Sequence, residues 1–249
     1  MSEEKKIEHT HSVLSLGAGV NSTALMLYLV DQGLPLNEVI FADTGAERPE
    51  TYEYLKKYTI PYLNEKKIPF TTVRNKKTLI ERCMQGHSLP DRRYRWSTRD
   101  FKIRPIYSYL KSKAPTRTYM GICYDEIHRV KSSQIEWNTN IYPLVEKRIT
   151  RLGCVRIIQN HGWEIPVKSG CFFCPFTSKR GLYEIWLTHP DLWKQAIALE
   201  KNGSKYPNFI ISDKPLENLE AEFSKILNDD LGQTKLTILD DECSGYCMT

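Results

Sequence analysis

Residues 11–33 read HSVLSLGAGVNSTALMLYLVDQG, and they give the strongest indication of the fold class. His11–Ser15 is a short apolar run that predicts a β-strand, and Ser22–Gln32 carries apolar residues at helical spacing up to Gly33. The residues between them include two glycines, so we expect a strand, a tight loop and a helix in succession. A loop in this position can direct backbone N–H groups and the positive end of the helix dipole at an anion. The sequence therefore predicts an anion-binding loop.

The same alternation continues along the chain. Val39–Ala42 predicts a second strand that ends in Asp43-Thr44-Gly45, Glu50–Asn64 predicts an amphipathic helix, and Phe70–Val73 predicts a third strand. Strands that alternate with helices imply βαβ units. We therefore expect an α/β fold with a doubly wound, mostly parallel sheet and helices on both faces. Ligands bind such sheets at the carboxyl ends of the strands, where the first loop and Asp43 both fall.

The rest of the chain is less regular. The arginine-rich segment Asp91–Arg104 has no clear periodicity, and the tail from Ile210 is expected to be looser. Further predicted elements are a helix from Pro105 to about Lys111, a strand at Thr118–Ile122, an N-capped helix at Thr150–Gln159, a tight turn at Cys171–Pro175, and helices at Gly181–Leu187 and Asp191–Asn202. We expect a flexible terminus at residues 1–10 and one nucleotide-binding domain over 11–249. Within it, residues 165–249 form a helical, cysteine-containing C-terminal region.

Composition narrows the class of protein. With 41% hydrophobic and 26% charged residues, the chain is expected to fold as an ordinary globular protein. No stretch is long and apolar enough to span a bilayer, and residues 1–10 do not resemble a signal peptide, so we expect a cytoplasmic protein without a membrane partner. A net charge of +5 suits an anionic ligand but does not identify one.

The first loop differs from two common phosphate-binding motifs. No lysine precedes its Ser-Thr pair, as a Walker A loop requires, and Ser22 stands at the third glycine of a dinucleotide-binding motif. An ordinary strand–helix turn that is rich in small residues remains the alternative. The candidate phosphate-binding residues of the loop are Ser15, Gly17, Ala18, Gly19, Asn21, Ser22 and Thr23.

Two cysteine pairs indicate a possible metal centre. Cys171 and Cys174 have chelating spacing, and Cys243 and Cys247 form a second pair. Together they can supply four thiolates to Zn²⁺ or to a [4Fe–4S] cluster, and the spacing does not separate these two. The alternative is that one pair is simply buried or redox-active.

Charged side chains give two further predictions. The basic run consists of Arg92, Arg93, Arg95, Arg99, Lys102 and Arg104. It forms a solvated basic surface or binds an anion, and anion binding is favoured, with Lys102 and Arg104 as the best candidates. Tyr94 and Trp96 within this run can stack on a base, so a nucleic-acid acceptor is a weaker hypothesis. Asp125 and Glu126 either hold Mg²⁺ on the phosphates or begin a helix.

These motifs together resemble the adenine-nucleotide α-hydrolase superfamily, which holds the N-type ATP pyrophosphatases and the phosphoadenosine phosphosulfate (PAPS) reductases. The loop is similar to the S-G-G-x-D-S PP-loop, although Leu16 replaces one glycine, the loop is one residue longer, and Asn21 stands at the Asp position. Other segments resemble the PAPS reductase branch, and these are Phe41–Gly45, Lys102–Pro105, Gly121-Ile122 with Asp125-Glu126 and Arg129, Tyr142–Leu144, and Ser169–Phe176.

The resemblance implies roles for these segments. It assigns the adenine nucleotide to the loop together with Asp43, Thr44, Gly45, Gly121 and Arg129, and it assigns the anion to Lys102 and Arg104. It also favours an iron–sulfur cluster over zinc, although Ser97 stands where some relatives have a further cysteine.

Cys243 has two possible roles under the same resemblance. Its surroundings are similar to the E-C-G-[IL]-H tail of PAPS reductases, in which the cysteine attacks the sulfonate sulfur and a thiol partner later releases it. The histidine is absent, and Tyr246-Cys247 stands there instead. A role as a metal ligand is favoured, because a firmly bound ligand is not a free nucleophile.

Three functions follow from the sequence. The first is a PAPS-reductase-like enzyme that acts on PAPS, APS or ATP, with a thiol reductant or a sulfur donor as its partner. The second is an ATP pyrophosphatase that adenylates an acceptor, such as a nucleic-acid base or a small molecule, and delivers sulfur or nitrogen. The third is a non-catalytic nucleotide sensor.

Overall fold

The structure, a computed structural model, describes residues 11–203 and 211–228. The chain forms two compact units. The described residues of the first unit are 11–43, 47–74 and 102–169, and those of the second are 44–46, 75–101, 170–203 and 211–228. Within these described ranges, no helix has the length and apolarity that crossing a membrane requires. A single domain over 11–249 stays a prediction.

A five-stranded parallel sheet forms the centre of the first unit. Its strands are β1 (His11–Leu16), β2 (Glu38–Ala42), β3 (Phe70–Val73), β4 (Thr116–Met120) and β5 (Asn138–Ile141). The strand order is β3-β2-β1-β4-β5, and every neighbouring pair is parallel. The α/β fold class is therefore confirmed. The fourth strand starts two residues before the predicted Thr118, and β5 was not predicted because NTNI lacks apolar alternation.

Helices connect and flank these strands. In chain order they are α1 (Val20–Asp31), α2 (Pro49–Tyr54), α3 (Ile60–Glu65), α4 (Leu79–Gly86), α5 (Trp96–Thr98), α6 (Arg104–Leu110), α7 (Pro143–Glu146), α8 (Arg151–Asn160), α9 (Lys179–Thr188), α10 (Pro190–Gly203) and α11 (Leu216–Asn228). The predicted N-cap of α8 is confirmed, since the Thr150 hydroxyl accepts a hydrogen bond from Gly153 N. The expectation of a looser tail from Ile210 is wrong for α11, whose Leu216, Leu219 and Phe223 are buried at helical spacing.

Two π-helical turns explain how helices continue past internal prolines. Leu55–Thr59 joins α2 to α3 just before Pro61, and Arg99–Ile103 joins α5 to α6 just before Pro105. Proline has no N–H for the i−4 carbonyl and its ring crowds that carbonyl, so a wider turn lets the helix continue. The predicted helix Glu50–Asn64 is confirmed in this form. The expectation that regular structure begins only at Pro105 is wrong, because the helical stretch starts at Trp96.

Helices cover both faces of the sheet. On β1, Leu14 and Leu16 belong to one buried cluster while Val13 belongs to another. On β2, Phe41 and Ile40 divide between the same two clusters. Successive side chains of a strand point to opposite faces, so these alternating memberships require two packed layers. The first layer includes α1 and α8, and the second includes α6.

The sheet order places a topological switch point at β1. From the carboxyl end of β1 the chain returns to β2 on one side, whereas β4 pairs with β1 on the other side. Loops leave the two central strands in different directions at such a switch point, which is where open α/β sheets bind ligands. The Ser15–Thr23 loop follows β1 and Gly121 follows β4, so both lie at this switch point.

The amino ends of the strands meet at a buried carboxylate, Glu38. It accepts hydrogen bonds from the Lys113 ammonium and from the hydroxyls of Thr71 and Tyr109, and its Oε2 lies 3.3 Å from His11 Nε2. Burial raises the pKa of Glu38, but these hydrogen bonds outweigh the burial and lower the pKa to about 2. Glu38 therefore stays ionised inside the fold.

The second unit has a separate hydrophobic core. Its fully buried side chains are large, and they include Phe172, Phe173, Trp193 and Phe223. Trp193 and Phe223 come from α10 and α11, with ring centroids 5.8 Å apart. The Phe-Phe pair lies within the cysteine turn, so the turn is anchored through its apolar residues.

Candidate nucleotide site and cysteine turn

The loop between β1 and α1 leaves the first turn of the helix open. Gly19 is the N-cap of α1 with extended backbone angles, and no described side chain caps the helix. The first helical turn carries N–H groups without intrahelical partners, and these favour an anion. Ala18, just before the cap, has a left-handed φ of 56°, which costs a non-glycine residue about 1 kcal/mol. Such strain is typical of functional loops.

Two loop hydroxyls have different surroundings. The Ser22 hydroxyl accepts from Gly17 N and donates to Gly19 O, each at 3.2 Å, so it holds the loop together. The Thr23 hydroxyl is buried, and within the described part of the chain it has no hydrogen-bond partner. A buried hydroxyl of this kind can be satisfied by a ligand oxygen or by a water molecule. Ser15 is half-buried at the end of β1.

Two contacts bring later segments against the loop. A Cβ atom on Gly121 would lie 2.7 Å from Ser22 Cα and 2.8 Å from Ser22 N, so only glycine allows β4 to end this close to α1. A Cβ on Gly19 would lie 2.7 Å from the hydroxyl oxygen of the buried Ser169. Gly121 therefore has a packing role at the loop. The contact of Ser169 was not predicted, because nothing in its local pattern indicates it.

Asn21 lies at the centre of a hydrogen-bonded cluster. Its amide nitrogen donates to Glu126 Oε2 at 2.8 Å and contacts Cys123 Sγ at 3.3 Å, and its amide oxygen accepts from Arg151 Nη1 at 3.0 Å. Glu126 Oε1 in turn accepts from Arg129 Nη1. The cluster joins the loop to the 3₁₀ turn Tyr124–Arg129 and to α8. Sequence reasoning did not single out Arg151.

The acidic pair predicted to hold Mg²⁺ is bound by the chain itself. Asp125 Oδ2 accepts from the backbone N–H of Arg151, and Glu126 is held by Asn21 and Arg129. Burial is the main cause that raises the pKa of Cys123 to about 11, and the charges of Glu126 and Asp125 add to it. The Cys123 thiol is thus a protonated neighbour of the loop.

Asp43 is buried at the end of β2 and has two partners in the first unit. Tyr52 OH donates to its Oδ1 at 2.8 Å, and the largely exposed Arg74 donates to its Oδ2. Burial first, and then the hydrogen bond and charge of Asp43, raise the pKa of Tyr52. The carboxylate is therefore fixed in orientation at the carboxyl edge of the sheet, beside the strand that carries the loop.

The two residues after Asp43 belong to the second unit. Thr44 O accepts from Leu79 N at 2.8 Å, and the Thr44 hydroxyl accepts from Ala46 N at 3.2 Å. Gly45 has a φ of +69°, and a Cβ there would lie 2.6 Å from the Thr78 methyl group. Glycine is required at this position by both its backbone conformation and its contact with Thr78.

Lys102 is paired with a buried carboxylate that the sequence analysis missed. Its Nζ lies 3.1 Å from Oε1 of Glu47, whose side chain is fully buried. A buried carboxylate opposite a lysine fixes the ammonium and balances its charge. Arg104, the other predicted anion-binding residue of this segment, is exposed at the first position of α6.

The cysteine turn belongs to the second unit. Cys174 N donates to Cys171 O at 3.1 Å, and Phe172 N donates to Ala46 O at 3.0 Å, so backbone hydrogen bonds define the turn. Among the described residues neither cysteine forms a disulfide, and Cys174 is buried while Cys171 is half-buried. Cys243 and Cys247 lie outside the described residues. Over 11–203 and 211–228, no three His, Cys, Asp or Glu side chains are grouped as metal ligands.

Two residues of the basic run pack on the cysteine turn. Arg92 Nε donates to Pro175 O at 2.7 Å, and the guanidinium carbons of Arg92 and Arg95 lie 5.8 and 5.7 Å from the Phe176 ring centroid. Trp96 donates its indole N–H to Leu89 O and packs edge-on against Phe101, so it has a structural role. Tyr94 is 80% exposed.

A comparison with known families identifies the class of protein to which the chain belongs. The chain belongs to the phosphoadenosine phosphosulfate reductase domain family, whose model matches residues 11–140, just over half of the chain. This match covers the loop, Asp43, Lys102, Gly121 and Arg129. The predicted resemblance is thereby confirmed.

Individual relatives are distant. An uncharacterized protein of Methanocaldococcus jannaschii is 23% identical over 199 residues, covering 74% of this chain and 46% of the relative, so the chain spans about half the length of the curated relative that it matches. Among solved structures, PAPS reductase from Candida auris in a phosphate complex aligns with 15% identity and a TM-score of 0.49, over 64% of this chain and 77% of that one. The U34-tRNA thiolase NcsA from Methanococcus maripaludis, with its [4Fe–4S] cluster, aligns with 15% identity and a TM-score of 0.46, over 88% and 73%.

Proposed function

We propose that the protein is a PAPS-reductase-like enzyme that binds PAPS, APS or ATP at the Ser15–Thr23 loop and carries out sulfur-related chemistry at the α-phosphate or sulfonate group. The open first turn of α1, at the switch point of a sheet from the PAPS reductase domain family, carries this proposal. Anions bind at such helix N-termini through backbone N–H groups. The strained Ala18 and the buried Thr23 hydroxyl support a ligand at the same place.

Residues around the loop have complementary roles in this proposal. Ser15, Gly17, Ala18 and Gly19 let the backbone approach the phosphates, while the Thr23 hydroxyl donates to a phosphate oxygen. Asp43, with Thr44 and Gly45, contacts the nucleoside part. Lys102, Arg104 and Arg129 add positive charge to the wider site, with Lys102 and Arg129 each anchored by a carboxylate partner.

The cysteine turn fits half of a four-thiolate centre. Two thiols at chelating spacing suit soft metals, and Cys171 and Cys174 would bind a [4Fe–4S] cluster or Zn²⁺ together with Cys243 and Cys247. A bound cluster supplies electron transfer, or an iron site that binds sulfur. The alternative role of Cys243 is nucleophilic attack on the sulfonate sulfur, followed by release through a thiol reductant.

Product analysis tests the proposed reaction. Anaerobically purified protein would be incubated with a thiol reductant and with PAPS, APS, or ATP and Mg²⁺. We expect sulfite from the sulfonucleotide that is the substrate, and Cys243→Ser abolishes this release if Cys243 is the nucleophile. Release of sulfite from neither sulfonucleotide would reject reduction, and nucleotide binding without any turnover would identify a sensor instead.

The second candidate function is that of an ATP pyrophosphatase that modifies an acceptor. The replacement of the reductase histidine by Tyr246-Cys247 favours it, since this tail departs from the reductase pattern. This enzyme yields AMP and pyrophosphate from ATP, with turnover that depends on an acceptor such as a nucleic-acid base or a small molecule. ADP and phosphate as products would contradict both candidate functions.

Elemental analysis tests the metal proposal. We expect iron and sulfide in the wild type, with broad absorption at about 400 nm from iron–thiolate charge transfer. Cys171→Ser should lower the metal content, whereas Cys83→Ser, which alters a buried cysteine of α4, should retain it. Zinc without iron would identify the alternative metal, and neither element in anaerobic protein would contradict a four-thiolate centre.

A further inference from the structure

The structure assigns an additional anion-binding residue, Arg151, beside the loop. Its guanidinium is exposed at the first position of α8 and is held at one nitrogen by the Asn21 amide oxygen. Within the described part of the chain, no carboxylate lies within ion-pair distance of it. We propose that Arg151 binds a phosphate or sulfate oxygen of the nucleotide, and that Asn21 positions it. This inference rests on the proposed nucleotide-binding function.

Arg129 provides a comparison within the same cluster. Its side chain is 9% exposed, and its Nη1 forms an ion pair with Glu126. That carboxylate balances the charge of Arg129, whereas the neutral Asn21 leaves the charge of Arg151 unbalanced. A guanidinium also presents its N–H groups as a planar fork that suits phosphate and sulfate oxygens. Arg151 is thus an uncompensated cation, already oriented at the loop, that a bound oxyanion would neutralise.

The structural setting of Arg151 gives no stabilising reason for a cation. Positive charge at a helix N-terminus opposes the helix dipole, which favours acidic residues there. The start of α8 is fixed without the guanidinium, because Asp125 accepts from the Arg151 backbone N–H and Thr150 caps Gly153 N. The position is therefore rigid, and its positive charge is left for a ligand.

Asn21 explains how the guanidinium stays available. An amide donates to Glu126 and accepts from Arg151 at the same time, which a carboxylate cannot do. Aspartate at this position would face Glu126 at hydrogen-bond distance and would form an ion pair with Arg151. The amide at position 21 therefore keeps Glu126 bound while leaving the charge of Arg151 for the nucleotide.

Binding measurements on the full chain test this assignment. Isothermal titration with ATP and with inorganic pyrophosphate would compare the wild type, Arg151→Gln and Arg156→Gln. Arg156 is also exposed on α8 and makes no described ion pair, so it is a matched control for charge. Losing a charge-assisted hydrogen bond should weaken binding of both ligands by roughly 10- to 100-fold in Arg151→Gln, with less than about a twofold change in Arg156→Gln.

Asn21→Asp provides a second test that keeps the cation in the chain. We expect it to weaken both ligands roughly 10-fold, because the introduced carboxylate would pair with Arg151 and compete with the oxyanion. When Asn21→Asp is introduced into Arg151→Gln, it should cause little further loss of affinity, since no cation remains at position 151 for the carboxylate to neutralise. Equal additional losses in both backgrounds would overturn the positioning role of Asn21. Circular dichroism checks that each variant is folded.

The outcomes separate this inference from the proposed function. If the wild type binds the ligands and Arg151→Gln binds them as tightly as Arg156→Gln does, the assignment of Arg151 is overturned. The proposed nucleotide site is then unaffected. Binding of pyrophosphate but not ATP, lost in Arg151→Gln, would support the anion contact and reject ATP as the nucleotide. Binding of none of these ligands by the wild type would reject both.

Discussion

Two clusters at opposite ends of the same sheet use similar residues for different purposes. At the amino ends, Glu38 is surrounded by Lys113, His11 and two hydroxyls, and its charge is balanced inside the chain. At the carboxyl ends, Asn21 joins Glu126 to Arg151, and the guanidinium has no described carboxylate partner. In the first cluster the cation is paired with the carboxylate, whereas in the second the Arg151 guanidinium has no carboxylate at ion-pair distance among the described residues.

The pairing of each cation with a carboxylate separates structural charge from charge that is available to a ligand. Both clusters contain an acid, a base and uncharged polar groups, so composition does not distinguish them. The distinguishing feature is whether each cation has a carboxylate within reach. Variants of the amino-end cluster should therefore lower stability and spare ligand affinity, while variants of the carboxyl-end cluster should lower affinity for anions.

The largest stability effect is expected from Glu38→Ala. Removing a buried carboxylate leaves the ammonium of Lys113 and two hydroxyls without their acceptor, which should cost about 3 kcal/mol of unfolding free energy. Urea denaturation monitored by circular dichroism measures this loss. Nucleotide affinity of the folded variant should stay within about twofold of the wild type, because Glu38 lies at the other end of the sheet. A large loss of affinity with unchanged stability would reverse the assignment.

The same carboxylate predicts an acid-dependent loss of stability. Its pKa lies at about 2 in the folded protein and at an ordinary 4.5 when unperturbed, so its contribution is fully present above pH 4.5. The contribution is lost as pH falls from 4.5 towards 2, and it amounts to about 3 kcal/mol over that interval. Unfolding free energies measured across this range should fall less steeply in Glu38→Gln than in the wild type. Parallel slopes would contradict the low pKa.

Gly121→Ala tests the carboxyl-end cluster through packing. The added Cβ would clash with the Ser22 backbone and displace the loop, at a cost of about 2 kcal/mol in stability. It should also weaken ATP binding about 10-fold or more, because the N–H groups of the loop would move away from the phosphates. Thermal denaturation and titration measure the two effects.

Gly162→Ala is the control for this variant. Gly162 has a positive φ, but a Cβ there meets no atom within 4 Å. Backbone strain should destabilise it by about 1 kcal/mol without changing nucleotide affinity. Equal affinities of Gly121→Ala and the wild type would indicate that the ligand does not contact this loop.

The fold was largely predictable because its signals are local. The apolar run before the loop, the Gly-containing turn and the periodic helix after it lie within one stretch of sequence, and the same pattern repeats up to Phe70–Val73. The missed elements have weaker local signals. The polar β5 is specified by pairing with β4, and α5 by a π-helical turn that carries the chain past Pro105.

The outline of the candidate site could be predicted from the sequence, but the partners of its charged residues could not. The motif located the loop and Asp43, since these positions follow from the order of strands. The partners Glu47, Ser169 and Arg151 were missed because each reaches its contact across a long separation in sequence. Arg129 and Lys102 lie in segments that resemble the PAPS reductase branch. Their ion pairs with Glu126 and Glu47 can be seen only in the folded structure.

The smallest effect is expected from the thiol beside the loop. Cys123 is 1% exposed and its pKa is raised to about 11, so it should resist iodoacetamide at neutral pH in the folded protein and react only in urea. Site-resolved mass spectrometry measures its modification against that of the half-buried Cys171. Cys123→Ala removes the contact with the Asn21 amide and the long S–H contacts with the Asp125 and Glu126 carboxylates. The Asn21 amide keeps its bond to Glu126, so we expect a loss of about 1 kcal/mol in stability and little change in affinity. Rapid alkylation of folded Cys123 would mean that the cluster carries a thiolate in place of a neutral thiol, and the unbalanced cation at Arg151 would then have its counterion within the chain.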